Sequence, residues 1–70
     1  MKYVGIKQVL KAAKERSIEK VYIAMDAEEH VLAELISVCN DNNVEIIKIE
    51  TMAELGKLSG IDIGASAAAE

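Results

Sequence analysis

The residues best placed to do chemistry stand in one short stretch near the start of the chain, Gly5-Ile-Lys-Gln-Val-Leu-Lys11. A glycine that opens a helix leaves the first-turn N–H groups unobstructed, and the partial positive charge of that end attracts anions. Lys7 and Lys11 add full charges suited to phosphate oxygens and to guanine acceptors. Gln8 carries a donor and an acceptor on one amide and can read a base edge. The set describes a helix tip that could face nucleic acid. Lysines in this pattern also keep an ordinary surface helix solvated, and the seven residues alone leave both meanings open.

Other chemistries lack their parts. The chain has one Cys and one His, so no disulfide can close within it and a Cys/His zinc site is short of ligands. Cys39 and His30 are nine residues apart on one expected helix, roughly 13 Å along its axis, too far to share a proton. Cys39 reads as a small core residue and His30 as an exposed residue at a helix start. Asp26, Glu28 and Glu29 follow an expected strand end, a common place for sites in open α/β sheets. Magnesium there would need substrate phosphate or more carboxylates, and capping accounts for all three acids. Gly56, Gly60 and Gly64 form neither G-x-G-x-x-G nor a P-loop. Met25 and Met52 read as gap-fillers. No catalytic group, metal site or cofactor is expected.

The elements that must position the helix tip follow from periodicity. Ile6, Val9, Leu10 and Ala13 recur at helical spacing, and Lys7, Lys11 and Lys14 form a second, polar stripe. A helix is expected from Gly5, its N-cap, to about Glu15. Lys20–Ala24 is an apolar run bounded by charges, a buried strand. Asp26 is expected to cap a second helix, with Glu29 in its first turn and Val31, Leu32, Leu35, Ile36, Val38 and Cys39 inward. Asn40–Asn43 stops that helix with residues that favour turns. Val44–Ile49, rich in β-branched residues, is a second strand. Thr51-Met-Ala-Glu54 is a capping box for a third helix, with Met52, Leu55 and Leu58 inward and Ser59-Gly60 at its end. Ile61-Asp-Ile-Gly64 is a loop, and Ala65–Ala69 is either a last strand or a tail. Strands alternating with helices indicate an α/β sheet with helices on both faces.

Seventy residues make one domain, which buries about 60% of its unfolded surface. Two Tyr are the whole aromatic content. The core must be aliphatic, and binding of single strands on aromatic platforms is disfavoured. No apolar run reaches the ~20 residues that span a bilayer, and no signal peptide opens the chain, so a soluble, cytoplasmic protein is expected. The net charge of −4 is unevenly spread. Residues 1–20 hold six basic side chains against two acids, a net +4; residues 21–70 hold two against ten, a net −8. Such asymmetry hints at a surface that faces a polyanion.

Gly5-Ile-Lys-Gln-Val-Leu-Lys11 resembles the G-x-[NK]-[EQ]-x-x-K motif of the kink-turn-binding ribosomal protein family, whose archetypes are the large-subunit proteins L-seven-Ae and L-thirty-e. Val21-Tyr-Ile-Ala-Met-Asp-Ala27 resembles that family's strand followed by I-A-x-D-A, and Leu55–Ala65 resembles its L-G-x-x-x-G-I-x-x-G-A. The three stand in register over nearly the whole chain, and the small bacterial ribosomal-protein-like subgroup is the nearest in pattern. The chain differs from the family in four places. The first strand is reduced to Lys2-Tyr-Val4, Arg16 stands where Gly commonly ends the first helix, Asp26-Ala-Glu-Glu29 has no Pro, and the tail runs Ala67-Ala-Ala-Glu70.

The resemblance implies a three-layer α/β/α sandwich around a small mixed sheet, a single domain over residues 1–70 shortened at both termini. It implies recognition of the kink-turn, an RNA element of tandem sheared G·A pairs beside a three-nucleotide bulge. Gly5, Lys7, Gln8 and Lys11 would lie along the G·A pairs. Ile61, Asp62, Ile63 and Gly64 would pack against the extruded bulge nucleotides. The expected partner is a structured RNA containing a kink-turn, with the ribosome one candidate setting and neither DNA nor membrane expected. A module of the same fold that binds protein and has weak or lost RNA binding is the alternative.

Overall fold

The computed structural model describes residues 1–70. In chain order the elements are β1 (Tyr3–Val4), α1 (Ile6–Lys14), β2 (Lys20–Ala24), α2 (Glu29–Asp41), β3 (Glu45–Ile49), α3 (Met52–Leu58) and β4 (Ala67–Ala69). The sheet order is β1-β4-β2-β3. β4 runs antiparallel to both of its neighbours, and β2 and β3 run parallel through the α2 crossover. The expected α/β sandwich on a mixed sheet is the fold observed.

Strand alternation sorts the core into two layers. On one face Val21, Ile23, Ala67 and Ala69 pack with Val9, Ala12 and Ala13 of α1 and Leu32, Leu35 and Cys39 of α2. On the other face Ala24 and Ala68 pack with Leu55 of α3 and with Ala65, and Val4, Tyr22 and Ile49 close around them. Every buried residue in these layers is apolar except Cys39, whose thiol burial pushes above its ordinary value.

Ala65–Ala69, open between strand and tail in the sequence, resolves into a central strand. Ala67, Ala68 and Ala69 have no exposed surface. Their register pairs Ala69 with Tyr3 on one side and Val21 on the other. Alanine's own preference is helical; pairing on both edges and burial on both faces override it.

Two other expectations change. α2 starts at Glu29, with Glu28 as N-cap, so Asp26 does not cap it. Met52 and Leu58 are exposed at 36% and 56%, leaving Leu55 as the α3 residue that enters the core. A helix of two turns set against the sheet offers it little more than one position. Arg16 adopts a left-handed φ of 56°, the conformation a glycine would take without strain. Its Nε donates to Asn42 Oδ1 at 3.1 Å, and Asn42 Nδ2 donates to Ala13 O at 3.2 Å, so the ends of α1 and α2 are clasped together.

Candidate nucleic-acid interface

One end of the sheet collects the functional candidates. Because β4 is antiparallel to β1 and β2, and β3 is parallel to β2, the last residues of β1, β2 and β3 meet the first residue of β4 at that end. α1 starts there after Gly5, and the 61–66 segment enters there before Ala67.

Gly5 is the hinge. Its N–H donates to Ala67 O at 2.9 Å, and the chain then turns into α1 with φ 103° and ψ 148°. That conformation suits glycine alone. No side chain caps the helix, so its first-turn N–H groups, which have no partner within an α-helix, stay free for a ligand. Lys7, Gln8 and Lys11 are exposed on the next turns. Lys14 lies 3.8 Å from Glu34 across both helices, whereas Lys7 and Lys11 form no ion pair. Gln8 and Lys11 join Tyr3, Ala12 and Glu15 in a shallow concavity of about 230 Å³ between α1 and the β1 edge. Lys2 Nζ sits 5.8 Å from the centre of the Tyr3 ring, a cation–π distance.

The second group is the segment after α3. Ile61 is half-buried against the core layer of Ala24, Leu55 and Ala68. Asp62, Ile63 and Gly64 are exposed, and Ile63, at 74%, is more exposed than any other large apolar residue. The segment is anchored at both ends: Ile61 N–H donates to Gly56 O at 3.1 Å and Ala65 N–H to Met52 O at 3.0 Å. Gly56 has no room for a side chain. A Cβ there would collide with the Ile63 carbonyl oxygen and stand 3.2 Å from Gly64 Cα.

The near ends of the two groups, Gly5 and Gly64, therefore lie close together at this end of the sheet. Gly64 is three residues before Ala67, whose carbonyl holds Gly5, a chain distance of no more than about 10 Å. α1 rises over one face of the sheet while α3 and its following loop cover the other.

Some members of this end were not expected. Met25 follows β2 and is 49% exposed, and Met52 opens α3 at the same end, so neither fills a gap in the core. Their positions directly after a strand and at a helix start were the available signal. Asp26 accepts from Met52 N–H at 2.8 Å, a partner 26 residues away that no local pattern announces. Glu28, Glu50, Glu54 and Asp62 are exposed on this side of the molecule, so the lysines of α1 stand at the border of an acidic surface. Cys39 and Tyr22, whose acidities are shifted, both lie outside the two groups.

Comparison with known proteins places the chain among relatives. The chain is 48% identical over 67 residues to an RNA-binding protein of Caldanaerobacter subterraneus, covering 96% of this chain and 82% of the relative. It is 35% identical over 66 residues to the RNA-binding protein YbxF of Geobacillus stearothermophilus, covering 94% and 80%. A solved structure of a protein of unknown function from Bacillus halodurans C superposes with a TM-score of 0.80 at 22% identity. That likeness concerns the fold. It covers 91% of this chain, which spans 65% of the length of the solved one. The family model for the ribosomal protein L7Ae/L30e/S12e/Gadd45 family matches residues 3–70, every element from β1 to β4, and to that family this chain belongs.

Proposed function

We propose that this protein binds structured RNA through the β4-entry end of its sheet, and that the RNA element is the kink-turn. The observation that carries the proposal is the shared end: a lysine-bearing helix tip opened by Gly5, beside the exposed apolar loop Ile61–Gly64. Relatives named as RNA-binding proteins, 35% to 48% identical, support it.

Each part has a physical role. The Gly5 turn lets the RNA backbone approach the first-turn N–H groups of α1. Lys7 and Lys11 neutralise phosphates or reach guanine acceptors, and Gln8 addresses a base edge along the G·A pairs. Ile63 and Ile61 offer an apolar wall to a base that has left the stack, while Asp62 and Gly64 shape the loop around it. Proteins read RNA by sequence mainly at such unstacked, irregular places. Affinity for the sharply bent conformer over the extended one shifts the RNA equilibrium by that difference alone. No step is chemical and no metal or cofactor takes part. A cytoplasmic site of action, with ribosomal or other structured RNA, accords with this role.

A gel shift with a kink-turn RNA, against the same RNA with its G·A pairs replaced by Watson–Crick pairs, tests the reading. Tight binding to the first and weak binding to the second is expected. Ten of the twelve acids lie in residues 21–70, and that acidity favours the second reading, a module that keeps the fold and binds protein. Equal, weak shifts with both RNAs would remove the kink-turn reading.

A further inference from the structure

The 61–66 segment is held in place by a frame of hydrogen bonds, and nearly all of that frame is backbone. Ile61 N–H donates to Gly56 O, Ala65 N–H to Met52 O, Ala24 N–H to Ser66 O, and Gly5 N–H to Ala67 O. Backbone bonds of this kind survive most substitutions. One member is a side chain. Asp26 Oδ1 accepts from the N–H of Met52 at 2.8 Å, the same residue whose carbonyl receives Ala65. Met52 also carries the atoms against which Gly64 rests: a Cβ on Gly64 would lie 3.2 Å from Met52 Cβ and 3.4 Å from the Met52 carbonyl.

We infer that Asp26 is the positioning residue of the Ile61–Gly64 loop: its carboxylate fixes the first residue of α3, and α3 fixes the loop. α3 has a cap of its own, since Thr51 Oγ1 accepts from Glu54 N–H at 3.1 Å. Asp26 is therefore not required to start the helix. It determines where the helix start stands relative to β2, because Asp26 lies two residues beyond Ala24, which itself bonds to Ser66. The consequence for RNA rests on the function proposed above. The consequence for the free protein does not.

Two variants and two measurements test this. In the free protein, Asp26→Ala should accelerate amide hydrogen exchange at Met52 and Ala65 by about tenfold, the scale of one lost charge-assisted hydrogen bond. Exchange at Val21 and Leu35 in the opposite core layer should stay unchanged. Asp26→Asn, which keeps an acceptor oxygen in place, should restore most of the protection. In gel shifts, Asp26→Ala should weaken kink-turn binding severalfold with an unchanged slope of log affinity against log salt, because no phosphate contact is removed. Unchanged exchange at Met52 and Ala65 in Asp26→Ala, or acceleration spread evenly over both layers, overturns the inference. So does Asp26→Asn behaving like Asp26→Ala. Local acceleration in a protein that ignores kink-turn RNA keeps Asp26 as the positioning residue and removes the RNA function instead.

Discussion

Lys11 and Cys39 show how differently single residues act here. Lys11 is exposed and unpaired, at the border of two shallow concavities on α1. If it meets one phosphate, Lys11→Ala lowers RNA affinity and reduces the salt slope by about one unit, read from binding curves at several salt concentrations. Loss of affinity at constant slope would assign Lys11 to a base instead. Cys39 has no exposed surface, and burial raises its thiol above the ordinary value of 9.0. The unfolded chain then gives up this proton before the folded one does. Stability present below about pH 9 is lost as pH rises through the higher, folded value. Tyr22 adds to the same alkaline loss from about 10, its hydroxyl raised by partial burial and by the neighbouring Glu70 carboxylate. Cys39→Ala should flatten the first part of that decline and Tyr22→Phe the second, in urea midpoints compared near neutrality and above pH 9.

The unit of α3 and its following loop is the least forgiving element. Gly56→Ala places a methyl against the Ile63 carbonyl and Gly64 Cα. Both are backbone and cannot swing aside. A loss of about 1–3 kcal/mol is expected by urea unfolding, the range for overpacking. Ile63→Asp acts in the opposite way. Ile63 is 74% exposed, so stability should move by less than about 0.5 kcal/mol. Binding to kink-turn RNA should fall more than binding to a plain duplex, because an acid replaces the apolar wall; equal losses on both would mean the loop does not read the bulge. Much at this scale was legible beforehand. β3 announces itself by β-branched residues, and Thr51 by its cap. What stayed hidden depends on distant partners. Ala67–Ala69 carries no strand signal of its own and becomes one only between β1 and β2. Asp26 looked like the cap of the helix that follows it, and its true partner is 26 residues on. The two halves of the candidate interface were each readable as residue patterns. Their nearness is a product of β4 running against both neighbours, which no short pattern encodes.

At the scale of the whole molecule, β4 keeps the layers close. Alanine on both faces lets α1 and α2 approach from one side and Leu55 of α3 from the other. Ala68→Leu should force the α3 layer outward and cost about 1–3 kcal/mol, a fall in melting temperature of several degrees for a domain this small. An unchanged melting temperature would mean that the second layer has slack. Charge also acts globally. The net of −4 repels a polyanion in general; for the RNA binding proposed above, the basic residues 1–20 would then favour approach at the lysine-bearing tip, a repulsive contribution to specificity. The order of the sheet has one more consequence, in the life of the chain as it is made. β1 has no strand neighbour but β4, and residues 67–69 leave the ribosome some sixty residues after Tyr3 does. Until then β1 has no partner strand within the sheet, and a product cut short before Ala67 leaves that strand's edge unpaired.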